Sequence, residues 1–218
     1  MQKSEFIENA EEIEKEPWYR GPIKYILGVF LVLIIILMII PSGVIKISPE
    51  PKNIPTLGEV LPPNIQLSNN TPQEYNKLVN PTDPIIKQIA DKIAASSCAF
   101  SRVCQAKALY YFVRDNIKYV SDPIGEEYLE DPKEVLSTAA ADCESGAILL
   151  AALEEAIGID AQLVFIPKHA FVRINLPEAR AKHKMEEDYV YLDWTCADCD
   201  FGEIPYNNIK SEKRVTDV

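Results

Sequence analysis

Three residues of this chain have the types and the order that thiol chemistry requires: Cys143, His169 and Asp193. A cysteine nucleophile needs a base that takes its proton and later gives it to the leaving group. The base in turn needs a carboxylate that fixes its tautomer and stabilises the imidazolium. Cys143 sits where Ala139-Ala140-Ala141 gives way to Ala147, Leu150, Ala151, Leu153, Glu154 and Ile157 in helical spacing, closed by Gly158. A helix opening at Cys143 is predicted, and its free N–H groups and dipole favour a thiolate, below the ordinary thiol pKa of about 8.5. Each residue also has a plainer reading: a small buried hydrophobe for Cys143, a satisfied core histidine for His169, a turn-forming residue for Asp193. The three together, in the order Cys, His, Asp, favour the catalytic reading. His183 is the other histidine; it lies in the charged stretch 177–187 and is expected in solvent.

The elements that must position these residues follow from periodicity. Residues 161–166 read as a buried strand, 169–176 as a second with Ala170, Val172 and Ile174 on one face, and 189–194 as a third. If the second and third strands are neighbours, His169 and Asp193 meet at one edge of a sheet. Upstream, Ile85, Ile86, Ile89, Ala90 and Ile93 keep helical spacing, as do Leu109, Phe112 and Val113 within a helix over 103–116. Residues 117–120 suit a short strand. Residues 121–136 are acidic and turn-rich, with a short helical piece after Pro132, and 203–218 read as a closing segment and loose tail.

The N-terminal third has a different character. Residues 1–24 carry six glutamates and four basic residues, and 21 uncharged residues follow between Lys24 and Lys46. About 20 apolar residues span a bilayer core as a helix, and this run has no polar face. A cleaved signal peptide is the rival; the long acidic leader and the lack of an Ala-x-Ala-type site favour a retained single-pass anchor. Lys3, Lys15, Arg20 and Lys24 precede the run and only Lys46 and Lys52 follow it closely, which puts the N-terminus in the cytoplasm and the rest outside the cell. Nine prolines between Pro41 and Pro84 predict an extended spacer, within which Asn69-Asn70-Thr71 forms a glycosylation acceptor pattern. The formal net charge of −11 leaves no basic face for phosphates, so no nucleic-acid partner is expected.

The chain resembles the transglutaminase-like superfamily, whose fold is related to that of papain-like cysteine proteases. The resemblance rests on Ala141-Asp142-Cys143-Glu144, Gly158-Ile159-Asp160-Ala161, His169-Ala170-Phe171-Val172 and Tyr191-Leu192-Asp193-Trp194-Thr195, and covers roughly residues 83–205. It implies an α+β fold, a papain-like or transglutaminase-like core in which the helix bearing Cys143 packs on an antiparallel sheet bearing His169 and Asp193. It also implies Cys143 as nucleophile, His169 as base and Asp193 as orienting acid. Trp194 stands where many members have proline. Cross-linking members use a tryptophan upstream of the cysteine to hold the oxyanion; here only Trp18 precedes Cys143. Tyr119 and Gln105 are the candidates for that second donor, and amide or peptide hydrolysis is expected ahead of cross-linking.

The expected organisation is a polar tail (1–24), one transmembrane helix (25–45), a Pro-rich linker (46–82), the transglutaminase-like domain (83–210) and a tail (211–218). The expected activity is membrane-anchored acyl transfer on a protein or peptide substrate; a non-catalytic binding or scaffold module of the same fold is the alternative. No cofactor is expected. Five cysteines leave Cys143 alone beside the groups Cys98 with Cys104 and Cys196 with Cys199. Outside the cell those four are expected as two local disulfides, with a four-cysteine zinc site as the rival.

Overall fold

The structure is a computed structural model that describes residues 21–39, 48–67, 74–123, 125 and 128–218. The chain divides into two compact units, Met1–Ile45 and Lys46–Val218. The tail over 1–20 and the acceptor pattern at Asn69 lie outside the described residues.

In the first unit, helix α1 (Ile23–Ile39) is apolar on every side, and its large side chains from Tyr25 to Met38 are exposed. No helix among the described residues is long and apolar enough to cross a membrane. The 17 residues of α1 extend about 25 Å at 1.5 Å per residue, against a hydrocarbon core of about 30 Å. Helix α1 covers residues 25–39 of the transmembrane segment expected over 25–45, and residues 40–47 lie outside the described set.

The second unit begins at Lys46, well before the expected domain start. Short helices α2 (Leu57–Val60) and α3 (Tyr75–Leu78) lie in the proline-rich segment. Val60, Leu78 and Val79 of this segment are buried in the main core. Three longer helices follow. In α4 (Pro84–Ser97), Asp83 caps the N-terminus by accepting from the Ile85 and Ile86 N–H groups. In α5 (Arg102–Asn116), Ser101 accepts from the Cys104 N–H. Strand β1 (Lys118–Tyr119) continues from α5. Helix α6 (Pro132–Thr138), with Pro132 in its first turn, leads through Ala139 in the left-handed region to β2 (Ala140–Ala141). Strands β1 and β2 pair in parallel, setting Tyr119 beside Ala141.

Helix α7 (Cys143–Ala156) is the buried centre of the unit. It packs on α4, α5 and α6 and on strands β3 (Ala161–Ile166) and β4 (His169–Asn175). Gly158, at φ +79°, turns the chain out of the helix. A four-stranded antiparallel sheet runs in the order β5 (Tyr189–Leu192), β4, β3, β6 (Arg214–Asp217). The face with Leu163, Val172, Ile174, Val190 and Leu192 joins the helical core, while Val164, Phe171, Tyr191 and Ile204 form a smaller cluster. The segment read as a loose tail over 211–218 is corrected by β6. Its Val215 and Thr216 pair opposite Val164 and Leu163, because β3 would otherwise present an unpaired edge. Helix α8 (Tyr206–Lys210) lies between β5 and β6 in the chain.

Candidate active site

Cys143 is the first residue of α7, and the turn is built by its neighbours. Asp142 caps the helix, accepting from the Ser145 N–H at 2.8 Å. The indole N–H of Trp194 donates to the Cys143 carbonyl at 3.2 Å. Gly146 admits the Trp194 ring: a Cβ there would lie 2.2 Å from two of its carbons. The first residues of a helix have N–H groups without intrahelical partners, so the Cys143 turn presents donors outward.

His169 opens β4 directly after the two-residue turn at Pro167 and Lys168, the latter at φ +66°. Its ring stands 5.8 Å from that of Phe171. Nε2 contacts Asp193 Oδ2 at 2.9 Å. A carboxylate only accepts, so Nε2 carries the hydrogen and Nδ1 is the free acceptor nitrogen. Asp193 is fully buried. Its Oδ1 accepts from the Thr195 N–H at 3.2 Å and the Thr195 hydroxyl at 2.7 Å, and its Oδ2 also accepts from Asn208 Nδ2 at 3.1 Å. Four donors around one buried carboxylate compensate its removal from water.

The histidine and aspartate are thus joined. The backbone of Ala170, one residue from His169, favours the Cys143 thiolate. The thiol itself donates to Glu144 Oε2 at 2.7 Å. Burial, with this carboxylate beside it, pushes the Cys143 thiol up to about 12. The depressed thiol expected from the helix dipole is corrected here: desolvation and an adjacent acid outweigh the dipole in this arrangement. The surroundings are acidic. Burial raises Asp142 to about 6, with Glu144 contributing, and raises Glu130 to about 7, with Glu134, Asp142 and Asp122 adding to it. Donor atoms of Asp142, Cys143 and Glu144 lie within 4.8 Å of one another. Asp142 is already engaged as the cap, and Glu144 accepts a hydrogen bond from the thiol.

The two oxyanion candidates separate. Tyr119 is half exposed, its ring 6.3 Å from that of Trp194, and burial followed by the nearby Cys143 raises its phenol pKa. Gln105 instead shares a surface pocket with Ala156, Ile157 and Gly158, at the opposite end of α7. Helices α5 and α7 run in opposite directions: Arg102 Nη2 reaches the Gly158 carbonyl at 2.9 Å, while the far end of α5 feeds β1 beside Ala140 and Ala141. Gln105 therefore lies about 20 Å along the helix from Cys143, and this candidate is withdrawn.

The remaining cysteines form disulfides Cys98–Cys104 and Cys196–Cys199, and Cys143 is free. The zinc alternative is thereby set aside. His183 is buried, with Nδ1 at 2.8 Å from the Phe201 carbonyl, so its expected place in solvent is corrected. Trp194, Glu144 and Asn208 join the site beyond the residues that the sequence marks as candidates. The motif Asp193-Trp194-Thr195 could have pointed to Trp194; nothing in the pattern points to Asn208.

One solved structure, a provisionally named protease from Parabacteroides distasonis, aligns at 15% identity with a TM-score of 0.43, over 54% of this chain and 25% of that one. The chain thus spans about a quarter of that protein's length. No curated protein matches the chain. The family model described as "Transglutaminase-like superfamily" matches residues 87–199, just over half of the chain, and includes Cys143, His169 and Asp193. The chain belongs to the transglutaminase-like superfamily.

Proposed function

We propose that this protein is a cysteine acyl-transfer enzyme that hydrolyses amide or peptide bonds through Cys143, His169 and Asp193. The observation that carries the reading is the 2.9 Å His169–Asp193 contact, joined by a free cysteine that opens the central helix. Cys143 turns from Glu144 and gives its proton to His169 Nδ1, and the sulfur attacks the substrate carbonyl carbon. The Cys143 N–H and the Tyr119 hydroxyl are the donors for the oxyanion, the second kept protonated by its raised pKa. The C–N bond breaks as His169 protonates the departing amine, leaving a thioester. Water, losing a proton to His169, then releases the acid and the thiol is restored. An amine in place of water would give transamidation.

The chain is further proposed to sit at the cell membrane through α1, with the catalytic unit outside the cell. Support comes from the uncharged run between Lys24 and Lys46, the apolar side chains exposed around α1, and two disulfides, which persist in oxidising compartments.

One observation favours a second reading, a binding module without turnover: the Cys143 thiol donates to Glu144 and sits far above the usual thiol range. Activity-based labelling of membranes with a thiol-directed amide probe, comparing wild type with Cys143→Ala, separates the two. Turnover-dependent labelling at Cys143 is expected; none in the wild type supports the binding module.

A further inference from the structure

The carboxylate of Asp193 has one donor that comes from outside both the strand pair and the loop that bears it. Oδ1 is held by Thr195, two residues away in the same loop. Oδ2 is shared by His169 Nε2 and Asn208 Nδ2. Asn208 lies on α8, beyond the matched residues 87–199. Its segment is anchored: Ile204 is buried against Phe171 and Tyr191, on the strands that bear His169 and lead to Asp193, and the Asn208 N–H donates to the Pro205 carbonyl at 2.8 Å.

We propose that Asn208 is a positioning residue that fixes the plane of the Asp193 carboxylate and thereby the direction of the His169 ring. The inference rests on the Cys143–His169–Asp193 reading above. Thr195 holds only one oxygen, and a carboxylate held at one oxygen still turns about its Cβ–Cγ bond. A second donor on the other oxygen removes that freedom. Asn208 takes one lone-pair direction of Oδ2 and leaves the other for the imidazole N–H, so the ring is offered one orientation. The ring in turn aims Nδ1, the atom that takes the thiol proton. The amide orientation follows from the acceptor, since a carboxylate can meet only the NH2 side of Asn208. Asn208 acts through Asp193 and touches no reacting atom. The Tyr110 hydroxyl reaches the Asp193 backbone carbonyl and leaves the carboxylate to His169, Thr195 and Asn208.

The test uses the full chain and two readouts: the rate at which iodoacetamide alkylates Cys143, and the low-field proton signal of the His169 Nε2–H in protein carrying 15N-histidine. Asn208→Ala is expected to slow alkylation about threefold to tenfold, the scale of one neutral hydrogen bond, and to shift or broaden the His169 signal. Asn208→Gln, which keeps the carboxamide, is expected to recover most of both. If Asn208→Ala does not fold, Asn208→Leu keeps the shape without the donor and is expected to show the same losses. Wild-type alkylation and an unmoved signal in Asn208→Ala overturn the proposal, even if the melting temperature falls, because a merely structural role would do no more. If wild-type Cys143 reacts no faster than Cys143 in His169→Ala, the catalytic reading itself fails and the proposal with it; that outcome is distinguished by the His169 variant.

Discussion

Trp194 holds Cys143: its indole N–H donates to the Cys143 carbonyl at 3.2 Å while the ring lies over Gly146, one turn into the same helix. The residue before it is Asp193, which binds His169. One short segment after β5 therefore clamps the helix start that presents the sulfur and the ring that would take its proton. Trp194 is this chain's residue where many relatives are expected to carry proline, and Gly146 is the opening that makes it fit.

Gly146→Ala tests that clamp. Alanine gains about 1 kcal/mol over glycine in a helix interior, but its Cβ would sit 2.2 Å from the indole. Overpacking a tight core costs about 1–3 kcal/mol, so urea denaturation should show a net loss of stability and alkylation of Cys143 should slow. A variant more stable than wild type would mean that the ring moves freely.

Glu144→Gln tests the resting state of the thiol. The carboxylate accepts a hydrogen bond from the thiol and opposes thiolate charge. Replacing it with a neutral amide should lower the thiol from about 12 toward ordinary values. Each unit is worth about tenfold in thiolate at pH 8. Stopped-flow alkylation at pH 8 should be faster in the variant; a slower rate would show that Glu144 assists ionisation.

Glu154 is fully buried on α7, with neither carboxylate oxygen hydrogen-bonded, and burial raises its pKa well above the ordinary value. The folded state therefore binds a proton that the unfolded chain releases near pH 4.3. That stability is fully present below about 4.3 and is lost as pH rises toward the folded value. Glu154→Leu should raise stability at pH 8 by about 1–3 kcal/mol and flatten its fall between pH 5 and 8. Chemical denaturation at the two pH values checks both statements.

Cys196→Ser with Cys199→Ser removes the disulfide that follows the Asp193 loop. So short a loop contributes about 2 kcal/mol by chain entropy. The double variant should lose no more than that in urea while Cys98–Cys104 stays closed, read by mass after alkylation under denaturing, non-reducing conditions. Wild-type protein should take one alkyl group, at Cys143.

Where residues repeat with a strong period, sequence carried the fold. The alternation through Ala170, Val172 and Ile174 and the apolar run behind Cys143 mark β4 and α7, since each buries a whole face. Val60, Leu78 and Val79 are too sparse among prolines to reveal their own burial in the core. Strand β6 owes its existence to the open edge of β3, which its own charged sequence does not announce. Gln105 failed because helical spacing gives a face and leaves open which end of α5 meets Cys143. His183 is buried by one backbone acceptor at Phe201, and Asn208 reaches Asp193 from 15 residues away; neither contact has a period.

The central claim, that Cys143 and His169 form one nucleophilic unit, is tested most directly by the rate of iodoacetamide alkylation at Cys143 in wild type and His169→Ala, measured on the full chain at pH 7. The account predicts a reaction confined to Cys143 that falls at least about tenfold in His169→Ala, the effect of losing about 1.4 kcal/mol of thiolate stabilisation. Equal rates in the two proteins, or no alkylation of Cys143 in the folded wild type, would contradict it.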